Sequence, residues 1–462
     1  MSARFVNLDR QTPMLLPCDL RDWVPADHIV HFILDAVEQI PLGHFHVNHR
    51  GTGSEQYPPA MMLALLIYSY ATGRFGSRTI EAATHSDVAV RYLCANTHPD
   101  HDSICTFRTA HAAAFRAAFV SVLQLAQQLR LTRVGTVSVD GTKIQASASK
   151  HAAVSYQRAG EMIAQLELEV AQLLERAEQA QARETQETLD LPAELVRREK
   201  RVAALQQARQ VLEERAREMA AAQQPSYEAK AAARQAQRDA GKKPRGKDPT
   251  PPSPTPDPKA QYNFTDPESR IMKAGSGQHF EQAYNAQAAV DEAMLLVGHR
   301  VSDAPNDKQE LVASVAAISP VVAPAVQAVL ADSGFYSEAA VQAVEQNPDG
   351  TSTGLRVYAA VEKQSHHKTV ADVLPQPEPA APGPEASAKE IMAHRLQTTA
   401  GKALYKLRKQ TVEPVFGIIK EVMGFRRFLL RGRAKVELEW TLVCVSYNLK
   451  RMFTLKKLTT AG

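Results

Sequence analysis

The feature that most constrains the fold is a short strand-like stretch, residues 134–146, that carries an acid. Small or polar residues alternate in it with valine and isoleucine, a pattern typical of a half-buried β-strand. Asp140 interrupts the pattern, although Asp is rarely buried without a partner. Gly141 follows, and Gly within a strand indicates a bulge or a close backbone approach. Either the strand presents Asp140 to a metal ion, or Asp-Gly forms the turn between two strands.

Length and composition restrict the class of protein. A chain of 462 residues is expected to contain two or three domains. Its net charge of +4 means that a nucleic-acid role would need locally concentrated basic residues. The four cysteines show no zinc-site or disulfide spacing, so we expect a cytoplasmic protein. We expect no membrane partner, because no apolar run approaches the length of a membrane span. We also expect no signal peptide, because the first residues do not combine a charged start with a following apolar stretch.

Residues 1–133 are predicted to form an N-terminal helical domain. A helix over residues 60–70, a second from about residue 77 to 93, and a third capped by Asp102 or Ser103 are separated by polar turns. This outline matches a helix-turn-helix, in which Ser103, Thr106 and Arg108 would face a DNA groove. An ordinary helical bundle with a polar surface fits the same spacing.

The pattern changes after the first strand of the core, residues 134–155. Residues 156–222 are rich in Ala, Gln, Glu, Leu and Arg with apolar residues at helical spacing, which predicts an inserted coiled-coil hairpin. Its basic residues either bind a partner or form a solvated face. Residues 223–260 are basic and rich in proline, and we predict a disordered linker that could follow a phosphate backbone.

Residues 261–462 return to short strands followed by C-terminal helices. An apolar strand over residues 326–330 leads to Asp332, so a second strand delivers an acid close to a glycine. A third acid, Glu413, precedes Pro414. Because proline is best tolerated in a first helical turn, we predict a helix that begins or kinks near Thr411. Other acids compete for a role but are expected in turns: Asp291, Asp303 and Asp307.

Four blocks of sequence together resemble bacterial insertion-sequence transposases of the DDE class, in the branch with a Tyr-Arg-Glu-Lys signature. The first two are Ser-Val-Asp-Gly-Thr-Lys-Ile-Gln-Ala around Asp140 and Tyr-Asn-Ala-Gln at residues 284–287. The third is Ala-Asp-Ser-Gly-Phe-Tyr around Asp332. The fourth block consists of Tyr405, Arg408, Glu413 and Lys420. Arg408 and Glu413 are separated by four residues rather than the usual three, so Lys409 could take the place of Arg408.

The resemblance implies an α/β (α+β) protein with an RNase H-like mixed-sheet catalytic core, interrupted by the helical insertion. It implies that Asp140, Asp332 and Glu413 are catalytic and hold two Mg²⁺ ions, with Mn²⁺ able to substitute. Carboxylates are suitable ligands for such hard cations, and an ion pair can assist in-line phosphoryl displacement. Tyr405, Arg408 and Lys420 would then bind the DNA strand.

The implied function is cleavage of transposon ends and joining of the 3′-hydroxyl to target DNA. The implied partners are double-stranded DNA and further copies of the chain, in a homodimer or a higher synaptic oligomer near the nucleoid. Alternatives are a non-catalytic DNA-binding protein derived from a transposase, a stand-alone nuclease and a coiled-coil scaffold. Four arginines beyond the signature either bind DNA backbone or form a solvated turn. They are Arg426, Arg427, Arg431 and Arg433.

Overall fold

The computed structural model describes residues 19–48, 55–183, 191–241, 243–244, 246–273, 279–362, 377–383 and 385–460. The chain divides into two units by its internal contacts. The first joins Met1–Gln145 to Tyr284–Gly462, and the second is Ala146–Ala283. The N-terminal helices therefore belong to the same unit as residues 284–462 of the chain.

In the described residues, a short 3-10 helix (Leu20–Trp23) and six α-helices precede the first strand. Polar caps separate them: Asp87 accepts the backbone N–H groups of Ala89 and Val90, and Asp100 accepts those of Asp102 and Ser103. The cap that we expected at Asp102 or Ser103 is therefore Asp100. The helices are α1 (Ile29–Glu38), α2 (Pro59–Ala71), α3 (Ser77–Ser86), α4 (Val88–Leu93), α5 (His101–Ala110) and α6 (Ala112–Gln128).

The second unit contains the predicted helical insertion. Its elements are β2 (Ala153–Ser155), α7 (Tyr156–Arg183), α8 (Leu191–Asp239), β3 (Gln261–Asn263) and β4 (Arg270–Lys273), after β1 (Thr136–Gln145) of the first unit. The start of α7 contacts the middle of α8 where Tyr156 donates to Glu213, and Arg198 of α8 pairs with Glu169 further along α7. The two helices are therefore antiparallel. Their shared core includes Ala159, Ile163, Leu205, Ala208 and Leu212.

The predicted linker is wrong in its first half, because α8 continues through Pro225 to Asp239. This segment is rich in alanine and arginine, which favour helix strongly enough to offset one interior proline. Arg234 and Arg238 of its last turns both pair with Asp248. Lys242 and Arg245, two basic residues of the predicted linker, lie outside the described residues.

A mixed sheet and its covering helices complete the first unit. The strands are β5 (Phe280–Asp291), β6 (Leu296–Ser302), β7 (Ala328–Ala331) and β8 (Arg356–Ala359). Within this unit the order is β6-β5-β1-β7-β8; β5 and β6 are antiparallel, whereas β1, β7 and β8 are parallel. The helices are α9 (Leu311–Ala316), α10 (Glu338–Glu345), α11 (Ala388–Gln397), α12 (Thr399–Gly417) and α13 (Arg433–Thr460). The predicted mixture of helices and a mixed sheet is confirmed.

Helix α13 supplies much of the core of this unit. Trp440 is fully buried and donates its indole N–H to the carbonyl of Gln287 on β5 at 3.1 Å. Asn448 accepts from the backbone N–H of Leu296 and donates to the carbonyl of the same residue, both at 2.8 Å. These bonds hold the helix against the edge hairpin of the sheet. Across the described residues, no helix has the length and apolar character needed to span a membrane.

Candidate active site

Two acids lie at equivalent positions on neighbouring parallel strands. Strand β1 pairs with β7 so that Ser138 lies opposite Leu330. Asp140 and Asp332 each follow two residues later. Strand β7 is buried throughout and directs Asp332 out of its carboxyl end, while Asp140 stays on β1 with 17% of its side chain exposed. The parallel register therefore brings together two carboxylates that are distant in the sequence.

Their proximity is visible in the electrostatics of Asp140. Burial, and to a smaller extent the charge of Asp332, raises the pKa of this carboxyl group to about 7, although the guanidinium of Arg408 acts to lower it. Like charges that share a site disfavour simultaneous ionisation. A bound cation would relieve that repulsion, so the pair suits a hard, oxygen-seeking ion.

Arg408 connects the strand acid to the helix acid. From α12 it donates one hydrogen bond to Asp140 Oδ2 at 3.3 Å and another to Glu413 Oε1 at 2.8 Å. Only 11% of its side chain is exposed, against 46% for Glu413. The carboxylates of Asp140 and Glu413 are therefore separated by a single guanidinium group. Arg408, rather than the exposed Lys409, occupies the site.

The predicted start of the helix that carries Glu413 is wrong. Helix α12 begins at Thr399, where the side chain of Thr398 caps it, and Glu413 and Pro414 lie near its carboxyl end. The helix tolerates Pro414 because the proline removes only one backbone hydrogen bond, while Val412, Val415 and Phe416 around it are buried. The chain then makes a π-helical turn over Ile418–Val422.

Tyr405 and Lys420 lie on either side of Arg408 in the sequence. Tyr405 packs beside Leu330, and burial raises the pKa of its hydroxyl. Lys420, in the π-helical turn, donates to Thr142 Oγ1 at 2.5 Å and to the carbonyl of Lys143 at 3.0 Å. Burial lowers the pKa of this amine. Lys420 is thus held against β1 two residues beyond Asp140, through its own hydrogen bonds.

The arginine-rich loop is anchored to the end of the same strand. Gln145 of β1 donates its backbone N–H to the carbonyl of Arg426 at 3.2 Å and accepts that of Phe428 at 2.8 Å. Phe425, Phe428 and Leu430 are buried, whereas Arg426, Arg427 and Arg431 are exposed. The sequence of the loop therefore alternates anchors with outward-facing arginines. Arg433 opens α13 and approaches Asp303 at 3.9 Å.

The prediction that Arg108 of α5 faces a DNA groove is wrong. Its side chain is buried, with 4% exposure, and donates to the carbonyl of Phe75 at 2.8 Å and to the Tyr70 hydroxyl at 3.1 Å. The Arg108 side chain points toward Tyr70 of α2 rather than toward solvent. The presence of an arginine in the sequence does not indicate this burial. Thr106 is exposed, and Ser103 is half-buried with its hydroxyl bound to Asp100 at 2.7 Å.

A polar cradle beside Asp140 was missed. Asn285 and Gln287 on β5 are fully buried, and their side-chain amides donate to Asp307 Oδ1 at 2.8 and 2.7 Å. A Cβ atom at Gly141 would lie 2.2 Å from Gln287 Nε2 and 2.5 Å from Asp307 Oδ1. The glycine is therefore needed for a close approach, one of the two explanations that its place in a strand suggests. Asp307, expected in a turn, is part of this cradle.

The acids fit a divalent cation in chemistry but do not form a closed ligand set. Within the described ranges, no group of three or more His, Cys, Asp or Glu side chains is arranged to hold a metal ion. Asp140 and Asp332 are adjacent, and Glu413 is directed at Arg408. A closed set would require the partly exposed Glu413 to exchange its guanidinium partner for the cation.

Two family models match the chain. A transposase DDE domain model matches residues 381–453, which contain Tyr405, Arg408, Glu413 and Lys420. A model described as transposase domain DUF772 matches residues 18–110 in the N-terminal helices. Comparisons with curated proteins and with solved structures give no match. Transposase models at both ends of the chain, with the paired acids between them, indicate an insertion-sequence transposase of the DDE class.

Proposed function

We propose that this chain cleaves transposon ends and joins the freed 3′-hydroxyl to target DNA by metal-dependent phosphoryl transfer. The observation that carries the proposal is the grouping of Asp140 on β1 and Asp332 after β7 with Arg408 and Glu413 of α12. A sheet edge that collects carboxylates can bind the cations that phosphoryl transfer requires. The two transposase matches support the same reaction class.

The architecture proposed for this function is an RNase H-like core. A mixed sheet covered by helices, interrupted by a helical unit after its first strand, supports it. In this proposal, residues 134–155 and 261–462 supply the core and residues 156–222 form a coiled-coil insertion. The helices within residues 1–133 contribute to DNA binding, through surfaces other than Arg108.

Asp140, Asp332 and Glu413 would hold two Mg²⁺ ions, with Mn²⁺ as a substitute. When bound, these ions supply charge stabilisation to the attacking and leaving oxygens of an in-line displacement. Asp140 and Asp332 are suited to this role because their mutual repulsion favours a cation between them. Glu413 is suited because its partly exposed carboxylate has only to leave Arg408.

The cationic side chains would bind and orient the DNA. Arg408 would present its planar fork to a phosphate, while Asp140 and Glu413 would hold the metal. Lys420 is already fixed beside β1 by its two oxygen partners. Tyr405 would support the strand end by stacking or by its hydroxyl. Arg426, Arg427, Arg431 and Arg433 would hold the duplex backbone next to the cleaved bond.

The proposed partners are transposon-end DNA, target DNA and further copies of the chain. Joining two ends requires at least two active sites in one assembly, so we propose a homodimer or a higher synaptic oligomer on DNA. The proposed location is the bacterial cytoplasm, at the nucleoid.

A strand-cleavage assay tests the function. The substrate is a labelled duplex from the DNA that borders the coding region, incubated with Mg²⁺, with Mn²⁺ or with EDTA. We expect metal-dependent nicks and joined products, and a loss of at least about 100-fold in Asp140→Asn, Asp332→Asn and Glu413→Gln. Asp35→Asn, an exposed acid of α1, is the matched control.

Three results would contradict the proposal. DNA binding by the wild-type protein without cleavage in either metal would favour a non-catalytic DNA-binding protein. Nicks without joined products would favour a stand-alone nuclease. Full activity in Glu413→Gln would show that Glu413 is not needed to hold the metal ions.

A further inference from the structure

Helix α12 presents a continuous exposed stripe that leads to Glu413. Residues 402, 406, 409, 413 and 417 follow one another at spacings of three or four, so they lie on one side of the helix. All except the glycine at 417 carry charge. The opposite side faces the protein, because the partly buried Leu404, Tyr405 and Leu407 pack on the core formed by β7 and β8. The stripe therefore faces solvent.

Three lysines form the first part of this stripe, and we call Lys402, Lys406 and Lys409 the lysine track. All three are exposed, and in the described part of the chain none has an ion pair. The charge of Lys402 acts to lower the pKa of Glu378. The two side chains form no ion pair, and the Glu378 carboxylate accepts the backbone N–H of Thr399 at 2.9 Å. The track is thus a line of positive charge that no ion pair neutralises within the described residues.

Two other exposed lysines of the same unit, Lys389 and Lys457, differ from the track because each has an acidic partner. Lys389 pairs with Glu362 at 2.7 Å, and Lys457 pairs with Asp27 at 3.0 Å. These two lysines have side-chain exposures of 50% and 51%, so exposure alone does not distinguish them. The distinguishing property is the absence of an acidic partner along the helix that carries Glu413.

Gly417, at the end of the stripe, has no structural requirement for glycine. Its backbone is ordinary right-handed helix, with φ −58° and ψ −47°. A Cβ atom at this position would meet no atom within 4 Å. Glycine weakens a helix relative to alanine. Glycine is also the residue that allows another backbone to approach closely, and the open surface here leaves room for a ligand.

We propose that the lysine track and Gly417 form the path of a DNA strand across α12 to Glu413. The lysines bind successive phosphates, and the bare backbone at Gly417 lets the sugar-phosphate chain pass against the helix. From Lys402 to Gly417 the helix rises about 22 Å, which equals about six nucleotides of one duplex strand. This inference rests on the proposed function and adds a DNA surface separate from Tyr405, Arg408 and Lys420.

The salt dependence of DNA binding tests the lysine track. The variant Lys402→Gln/Lys406→Gln/Lys409→Gln should bind duplex DNA more weakly, and the slope of log affinity against log salt should flatten by about two to three. The control is Lys389→Gln/Lys457→Gln, whose lysines are already paired, and its slope should match that of the wild type. An unchanged slope in the triple variant would overturn the proposal.

Substitution of Gly417 gives a second test with opposite signs for stability and binding. Gly417→Ala should raise the midpoint of thermal unfolding by about 1–3 °C. Gly417→Gln should also remain folded but weaken DNA binding at least about tenfold, because its side chain fills the path. Gly160→Ala, on α7, is the control that should raise stability without changing DNA affinity. Wild-type affinity in Gly417→Gln would contradict the inference.

The two levels of proposal fail differently. If the wild-type protein cleaves DNA but the triple variant keeps its salt slope, the lysine track is wrong and the transposase function stands. If the triple variant loses slope but the wild-type protein never cleaves in Mg²⁺ or Mn²⁺, the DNA path stands and the catalytic function is wrong.

Discussion

Tyr70 and Glu439 are joined by a buried hydrogen bond of 3.1 Å across 369 residues of sequence. The Glu439 carboxylate also accepts the backbone N–H groups of Leu429 and Leu430 at 2.9 and 3.0 Å. Arg108 donates to the same Tyr70 hydroxyl. A helix near the N-terminus, the arginine-rich loop and α13 are therefore held together by one fully buried carboxylate.

This link predicts that the N-terminal helices stabilise the loop. Glu439→Gln should lower the free energy of unfolding by about 1–3 kcal/mol, because it changes a buried acceptor that serves three donors. Tyr70→Phe should cost about 1 kcal/mol. Urea unfolding measures both, and Tyr57→Phe, whose hydroxyl lies at the surface, is the control. Additive losses in the double variant would mean that the two side chains are not coupled.

Gly141 should not accept a side chain. Gly141→Ala places a methyl group within the cradle of Asn285, Gln287 and Asp307, and we expect a loss of about 1–3 kcal/mol in stability. Gly135→Ala is a matched control nearby, because a Cβ there would meet nothing within 4 Å. Chemical unfolding of the two variants compares them directly. Equal stabilities of Gly141→Ala and Gly135→Ala would show that the cradle accommodates the methyl group without a loss of stability.

The arginine-rich loop should contribute non-specific DNA affinity. Arg427→Ala/Arg431→Ala should weaken binding to all duplex sequences and flatten the salt slope by about one for each lost phosphate contact. Fluorescence anisotropy over a range of salt concentrations measures this slope, with Lys457→Gln as the control. Binding of Mn²⁺ should be unchanged. If the double variant keeps the wild-type salt slope, these arginines do not bind DNA and belong to an ordinary solvated turn.

His299 should make the protein sensitive to acid. Burial, and to a smaller extent the charge of Arg116, lowers the pKa of His299 to about 4. The folded-state pKa lies below the unfolded value, so the unfolded chain binds the proton first. The stabilising contribution is complete above about pH 6.5 and is lost, by about 3 kcal/mol, as the pH falls to 4.

The variant His299→Gln tests this pH dependence. Between pH 6.5 and 4 the wild-type protein should lose more stability than the variant. The glutamine that replaces His299 beside Thr441 does not titrate. Unfolding by urea at several pH values gives the difference, and His151→Gln, an exposed histidine, is the control. Parallel pH profiles for wild type and His299→Gln would show that this ring does not titrate as described. Asp291, whose pKa burial raises to about 6, acts in the opposite direction and is common to both proteins.

The sequence was sufficient where one residue pattern determined one structure. Alternation of apolar residues predicted β1, and an acid after an apolar run predicted the position of Asp332 at the end of β7. The start of α12 could not be predicted, because tertiary packing of Val412 and Val415 outweighs the local preference of Pro414. The burial of Arg108 and the cradle around Gly141 depend on residues far apart in sequence. No local pattern carries that information.

The spacing of the site residues has a consequence for biosynthesis. Asp140 leaves the ribosome long before its strand neighbours on β7, and the second unit, Ala146–Ala283, is made in between. Long-range pairing of this kind is slow and is completed late in folding. Arg408, Glu413 and Lys420 are translated near the end of the chain. The residues of the proposed site, Asp140, Asp332, Arg408 and Glu413, can therefore come together only after most of the chain has been translated.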